Sequence, residues 1–334
     1  MVMDQNYIIP IRPSVMKALA SGFKTMATHA YLIVIPIFLD LGLLLGPRLT
    51  IEKFFTPLIK LIQVPQNIPA DLVESVQDSV TALLDVAKQY SLTAWLRTIP
   101  FGTPSLMAGR ISTETPLGSA QIIPVDNFGL LILSSILFTV LGLLITSLYY
   151  TWNAVTVFPK EDKIRSGFLR KTSNLLLIPL IAFIAGLVLI LPIALILGIS
   201  TAINPVLGSI IYFIALLVLI NLLFPLLFTP HAIILENKGL IDAAKESIFV
   251  FKKSGIFSSF FVVILIFATY FSDRLWQTPP DNSWMILVGI FGHAVISTAL
   301  VLASFYFFKD AKVFAHEVAK LFLTIGESGT PQKN

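Results

Sequence analysis

The chain has 334 residues, of which 56% are apolar and only 13% charged, and its formal net charge is +4. Soluble domains sit nearer half apolar and roughly a quarter charged, so this composition excludes an ordinary soluble fold and makes the bilayer the solvent. There is no cysteine, which excludes disulfides, thiolate metal sites and thiol catalysis.

Residues 1–29 contain Arg12, Lys17 and Lys24 but no short apolar core followed by a small-residue cleavage site. The first span is therefore expected to stay as an uncleaved anchor. No lipidation motif is present, because no Cys is available and no Gly follows Met1. After Ser14, the residues Val15, Leu19, Phe23 and Met26 form a stripe at helical spacing. This predicts a cytoplasmic helix in the headgroup plane.

Six long apolar runs come next, at about 30–49, 127–153, 174–199, 206–232, 255–276 and 284–308. A spanning helix needs about 20 apolar residues, and each run supplies them. The expected fold is all-α: a six-span integral membrane helical bundle with amphipathic interfacial helices and an external helical segment. Trp152, Trp276, Trp284, Tyr149 and Tyr150 fall at span ends, as an interfacial aromatic belt does. Gly42 and Gly46 give span 1 a G-x-x-x-G close-packing motif.

The segment 50–126 is expected outside the membrane. Ile51, Phe54, Phe55, Leu58, Ile59 and Ile62 recur at helical spacing after Thr50, a candidate N-cap, and Pro57 should bend this helix. A second helix is predicted over about Pro69–Arg97. Its stripe is Val73, Val76, Val80, Leu83, Ala87 and Tyr90, with Asp71 and Glu74 at its N-terminal turn. That stripe packs on the protein's own external face or docks a partner or second copy. Residues 98–126, with Pro100, Pro104, Pro116, Pro124 and three glycines, read as an ordered loop without regular structure.

Orientation comes from the basic residues. Placing both termini in the cytoplasm puts 16 of the 23 Lys and Arg on that side, in the segments flanking spans. Seven lie on the other side, six of them at the one long loop, which counts less. Two further cytoplasmic stripes appear: Ile241, Ala244, Ile248 and Phe251, then Ala311, Phe314, Val318 and Leu321. Lys245, Lys252, Lys312 and Lys320 fall off them, toward anionic lipid. The chain thus divides into an interfacial helix (1–29), span 1 (30–49), an extracytoplasmic segment (50–126), spans 2–6 (127–308) and a cytoplasmic tail (309–334).

Asp40 is the most expensive residue, because a carboxylate at membrane depth costs about 2.5–3.5 kcal/mol on insertion scales. Span 1 runs outward and span 6 inward, which sets Asp40 and His293 each about 13 Å below the outer interface. Such a pair relays protons, holds a cation, or is structural. In the structural case the two form a fixed pair, or each is satisfied separately, with Asp40 protonated and His293 bonded to a carbonyl or Ser297. Span 4 carries Asn221, Pro225 and Pro230. Pro225 frees the Asn221 carbonyl, giving either a broken-helix site or a plain kink.

No phosphate loop, zinc helix or nucleophile elbow is present, and no cofactor is expected. His231 and Glu236, five apart, do not share a helical face as metal ligands. His29 and His316 are expected to be solvated. No basic patch with interleaved aromatics occurs, so nucleic acid is not an expected partner.

In residues 230–254, Pro230 is expected to end a span and Glu236 and Gly239 to turn the chain. Ala243 and Ser247 then give an A-x-x-x-S helix leading into the next span. This pattern resembles that of uncharacterised bacterial membrane families, the YciC-type inner-membrane proteins and the membrane domain attached to some glycerophosphodiester phosphodiesterases. The resemblance covers about 25 residues and the six-span layout. The long external segment departs from the compact loops of those families, and no phosphodiesterase domain is present.

The expected function is a non-catalytic scaffold or accessory component of a plasma-membrane assembly. Its partners would be the lipid bilayer and a membrane protein or a second copy. The alternative is a small-solute or ion transporter using Asp40, His293 and the span 4 break. A membrane-embedded lipid enzyme ranks third.

Overall fold

The computed structural model describes residues 10–60, 70–98, 101–110 and 114–328. Ile62, Pro69, Pro100 and the tail beyond Ser328 lie outside the described residues. The chain is mostly helical. Five helices are long and apolar enough to cross a membrane, and a sixth crossing arises if α1 and the helix after it count together. The chain divides into two compact units.

One unit takes Ala30–Tyr149 and Tyr270–Thr298. A 3-10 turn at Ala30–Ile33 leads into α2, Val34–Leu45. Pro47 forbids continuation, and Gly46 before it is extended. The predicted span 30–49 is therefore shorter, about 26 Å from the two helical rises. Thr50 does not cap a helix. It ends β1, Arg48–Thr50, which pairs in parallel with β4, Ile122–Pro124.

The two helices of the 50–126 segment are α3, Glu52–Lys60, with Pro57 inside it, and α4, Ala70–Gln89. On α4 the predicted stripe is the less exposed side among the described residues: Ala87 is buried and Val73, Val76, Val80 and Tyr90 are half-buried, while Leu83 alone of the stripe is exposed, at 47%. Residues 98–126 are more regular than expected. They hold a 3-10 turn at Met107–Gly109 and an antiparallel hairpin of β2, Glu114–Thr115, with β3, Gly118–Ser119, as well as β4.

Most of α5, Phe128–Val157, belongs to this unit, as do the end of α11, Ile256–Trp276, and the start of α12, Ile286–Ser328. The unit's core is Leu39, Leu43, Leu44, Leu106, Met107, Ile286 and Ile290. Gly42 of the G-x-x-x-G motif meets nothing within 4 Å, so the motif makes no helix contact here. The close approaches fall elsewhere. A methyl group on Gly292 would strike the Trp276 ring, and one on Gly142 would strike the Leu96 carbonyl.

The other unit takes the described residues up to His29, Tyr150–Thr269 and Ala299 onward. Its first helix, α1, Val15–Thr28, is capped by Ser14, whose Oγ accepts from the Lys17 N–H. The buried face of α1 is Val15, Ala18, Gly22, Thr25 and Met26; it takes Val15 and Met26 from the predicted stripe, adds small residues the stripe left out, and leaves Phe23 41% exposed. Gly22 lies against the Ala299 carbonyl and Ala303, and Thr25 and Tyr306 share a hydrogen bond of 2.9 Å.

The short α6, Asp162–Arg165, precedes the hairpin of α7, Phe168–Ile203, and α8, Pro205–Leu223. Asn204 joins the two, ending one and capping the other through Val206 N–H at 2.8 Å. A 3-10 turn at Phe224–Leu226 leads to α9, Thr229–Glu236, and then α10, Leu240–Ser254. Residues 309–328 are not a separate tail helix, because α12 runs unbroken through them. At 1.5 Å per residue its 43 residues make about 65 Å, twice a typical hydrocarbon thickness.

Candidate functional site

Asp40 is fully buried on α2, five residues from the end of that helix, or about 7 Å along its axis. Its carboxylate is filled by the external chain. Ser105 Oγ donates to Oδ1 at 2.5 Å, Met107 N–H to Oδ1 at 3.0 Å and Leu106 N–H to Oδ2 at 3.1 Å. Ser105 Oγ in turn accepts from Ala108 N–H at 3.0 Å. The same loop is tied to α5, where Thr146 Oγ1 accepts from Thr103 N–H at 3.0 Å. Thr103, Ser105, Leu106 and Met107 are all buried. A stretch read as an external loop therefore runs inward and seats on the one acidic group of α2.

His293 lies seven residues into α12 and is 2% exposed. Its Nε2 is 3.1 Å from Asp273 Oδ1 on α11. Its Nδ1 is buried and has no hydrogen-bond partner among the described residues. Ser297 does not bond the ring; its hydroxyl donates to the His293 backbone carbonyl at 2.6 Å. Asp40 and His293 thus share one unit, yet each takes its direct bonds from other residues.

Asp273 is invisible to a comparison of depths. The connection from Trp276 to Ile286 is short enough to force α11 and α12 antiparallel, which sets residues before Trp276 beside residues after Ile286. Ser105 had no such signal, since 65 residues separate it from Asp40.

Asn221 joins neither cluster. It is exposed, and its Nδ2 donates to the Leu217 carbonyl of its own helix at 2.9 Å. Span 4 does break at the predicted prolines, as the 3-10 turn Phe224–Leu226. The break is closed by Ser247 of α10, whose hydroxyl donates to the Pro225 carbonyl at 2.6 Å and accepts from Phe228 N–H at 3.0 Å.

The segment 230–254 is rearranged relative to expectation. Pro230 does not end the span; it sits in the first turn of α9, where a missing N–H costs nothing. The turn is made by Asn237 in the left-handed region, φ 52°, whereas Gly239 is extended. Ala243 and Ser247 are fully buried with Val250, while Ile241 of the predicted stripe is 71% exposed. The small residues lie on the buried face, and Phe251 packs on the Phe224 and Phe228 rings.

Glu236 closes a charged network in this unit. Lys238 contacts Glu236 at 2.7 Å and Glu246 at 2.9 Å. Lys312 pairs with Glu236 and approaches Glu246 at 3.5 Å. His316 is exposed, as expected, and also lies 3.0 Å from Glu246. Burial opposes ionisation of Glu246, but Lys238, His316 and Lys312 outweigh it and pull its carboxyl down to about 2. Burial likewise works against the Lys238 ammonium, and its two glutamates overcome it, raising it above the usual lysine value. His231 is buried and shares a 2.7 Å hydrogen bond with Ser304.

Among the described residues no group of three or more His, Asp or Glu is arranged to hold a metal ion. Compared with known protein families, curated proteins and solved structures, this chain matches none.

Proposed function

We propose that this chain is a six-crossing plasma-membrane protein with both termini in the cytoplasm, acting as a non-catalytic scaffold or accessory component of a membrane assembly. The observation that carries this reading is where its costly polar groups are used. Asp40 is filled by the 105–107 backbone and hydroxyl, and Ser247 closes the break in span 4. Both bonds fix shape and leave no broken-helix site open at Pro225. The partner surfaces offered are apolar: Leu83 and Val86 on α4, and Ile241 on α10. The grouping with the YciC-type and phosphodiesterase-associated membrane families rests on the residue pattern Pro230, Glu236, Gly239, Ala243 and Ser247 alone.

Because the chain has no cysteine, single thiols report topology without background. An impermeant maleimide should label Ser119→Cys in intact cells and Ser166→Cys only after lysis. The opposite pattern overturns the orientation. Affinity purification from native membrane with mass spectrometry should return a stoichiometric partner. A chain recovered alone as a monomer overturns the scaffold.

One observation favours the transporter alternative, namely the His293–Asp273 pair in the same unit as Asp40, with His293 Nδ1 unpartnered among the described residues. Buried ionisable groups mark proton and ion paths in membrane proteins. On that reading Asp40→Asn abolishes a pH-dependent flux while the protein still inserts, and unchanged flux removes the alternative.

A further inference from the structure

We propose that the face of α8 marked by Asn221 docks a second copy of this chain within the membrane. The proposal deepens the scaffold reading and rests on its placement of α8 across the membrane. It names the partner as the chain itself, on a surface apart from α4 and α10. α7 and α8 pack on each other. On α8, Gly208 lies against Thr201 of α7, and Ile211, Ala215 and Leu219 share its half-buried side. Away from that side the helix is bare. Leu207, Ile210, Ile214, Leu217 and Asn221 follow one another at alternating intervals of three and four, and all five are exposed. They make one seam of two heptads, about 21 Å along the axis, of the kind that packs helices side by side.

In a helix apolar all round, any seam shows this spacing, so the polar member decides which one matters. Asn221 stands sixteen residues after Pro205 and fifteen before Glu236, and no Asp, Glu, Lys or Arg lies between those two. Its Nδ2 donates to the Leu217 carbonyl at 2.9 Å, and the amide makes no other hydrogen bond among the described residues. A second N–H and the amide oxygen therefore point out of the fold at membrane depth, where lipid tails offer nothing to bond and a bare polar group is costly. A neutral amide calls for no charged partner. It is both donor and acceptor, so another Asn221 satisfies it. Across a two-fold axis each copy donates to the other, and the same patch serves both. The Leu and Ile side chains of the seam then pack beside the polar pair, which fixes the register.

The absence of cysteine makes the test direct. Ile214→Cys and Leu217→Cys, oxidised in native membranes, should each yield a disulfide-linked dimer. Tyr212→Cys, also exposed but on the far side of α8 from Asn221, should not. Asn221→Leu in the seam backgrounds should cut the dimer about three- to tenfold, the scale of one polar contact between helices in lipid, and Asn221→Gln should restore most of it. Asn221→Leu should insert as wild type does, since Asn221 bonds only its own helix among the described residues. Crosslinking at neither seam position, or equally at Tyr212→Cys, overturns the proposal, and so does an Asn221→Leu dimer as strong as wild type. A different protein recovered in stoichiometric amount with an uncrosslinked chain overturns this interface and leaves the scaffold standing. A seam dimer that carries solute flux keeps the interface and removes the scaffold.

Discussion

Around Asp40 a single carboxylate is held by three neutral donors, out of reach of water. Around Glu246 and Glu236, two carboxylates are held by Lys238, Lys312 and the His316 ring at a half-open rim. The difference comes from the solvent. Inside a membrane protein an ion pair must desolvate two charges, and the attraction often fails to repay that cost. Backbone N–H groups carry no net charge to desolvate and still favour the ionised carboxylate. At the rim water lowers the cost of charge, so opposite charges gather there, each pair contributing modestly. The interior bond should therefore be strong and indifferent to salt, and the rim network weaker and sensitive to both salt and pH.

The largest effect should come from Asp40→Ala, which strands two buried N–H groups and a hydroxyl at once. We expect a loss of about 3–5 kcal/mol, read as a collapse of the thermal unfolding midpoint in detergent. Asp40→Asn keeps one acceptor oxygen and should fall between wild type and alanine. Next is Leu106→Ala, which opens a cavity in the core beside that bond and should cost about 2–5 kcal/mol in the same measurement.

Glu246→Gln should cost about 1.5–3 kcal/mol and, unlike Asp40→Ala, should lose most of its effect in high salt. Equal costs for Asp40→Ala and Glu246→Gln would erase the contrast between the regions.

The rim should also set a pH window. Glu246 has its folded value depressed to about 2 from 4.5, so its contribution is complete above about 4.5 and is lost as pH falls toward 2. Lys238 is raised above 10.5, so its contribution is complete below that value and lost above it. Unfolding midpoints against pH should show an acid limb that Glu246→Gln flattens. The smallest effect belongs to Lys309→Ala, whose 2.6 Å pair with Glu161 is exposed on both sides and should be worth at most about 1 kcal/mol.

Apolar run length was enough to find the membrane helices, since twenty lipophilic residues admit little else. It located α11, read as 255–276 and found at Ile256–Trp276, but not the ends that contacts beyond the apolar run decide. Nothing in composition distinguishes α12 stopping near residue 308 from α12 continuing to Ser328, because Ala311, Phe314 and Val318 suit either course. Amphipathic stripes pointed to the right helices and in part to the right faces: Val15, Met26, Ala87 and Ala311 are buried, whereas Phe23, Leu83 and Ile241 are exposed. What the stripes left out are the small buried residues Ala18, Gly22, Ala243 and Ser247. Helices in lipid associate by close approach of such small residues rather than by hiding oil from water. Asp40 announced itself by its cost. Its partners did not, since two backbone amides and a serine are available almost anywhere in a chain.

The bond between Asp40 and residues 105–107 also has a history in time. The carboxyl enters the membrane 65 to 67 residues ahead of the groups that will satisfy it. At about 5–20 residues per second of synthesis, several seconds pass before those groups exist. The intervening chain, α3 and α4 included, must be made before those groups can reach α2. Until then α2 is a short helix carrying an unmet acid, poorly suited to remain inserted by itself. The 50–126 segment is thus an obligate partner of this apolar helix, and a ribosome stalled before Ser105 should leave α2 exposed to membrane proteases, whereas one stalled beyond Arg110 should not.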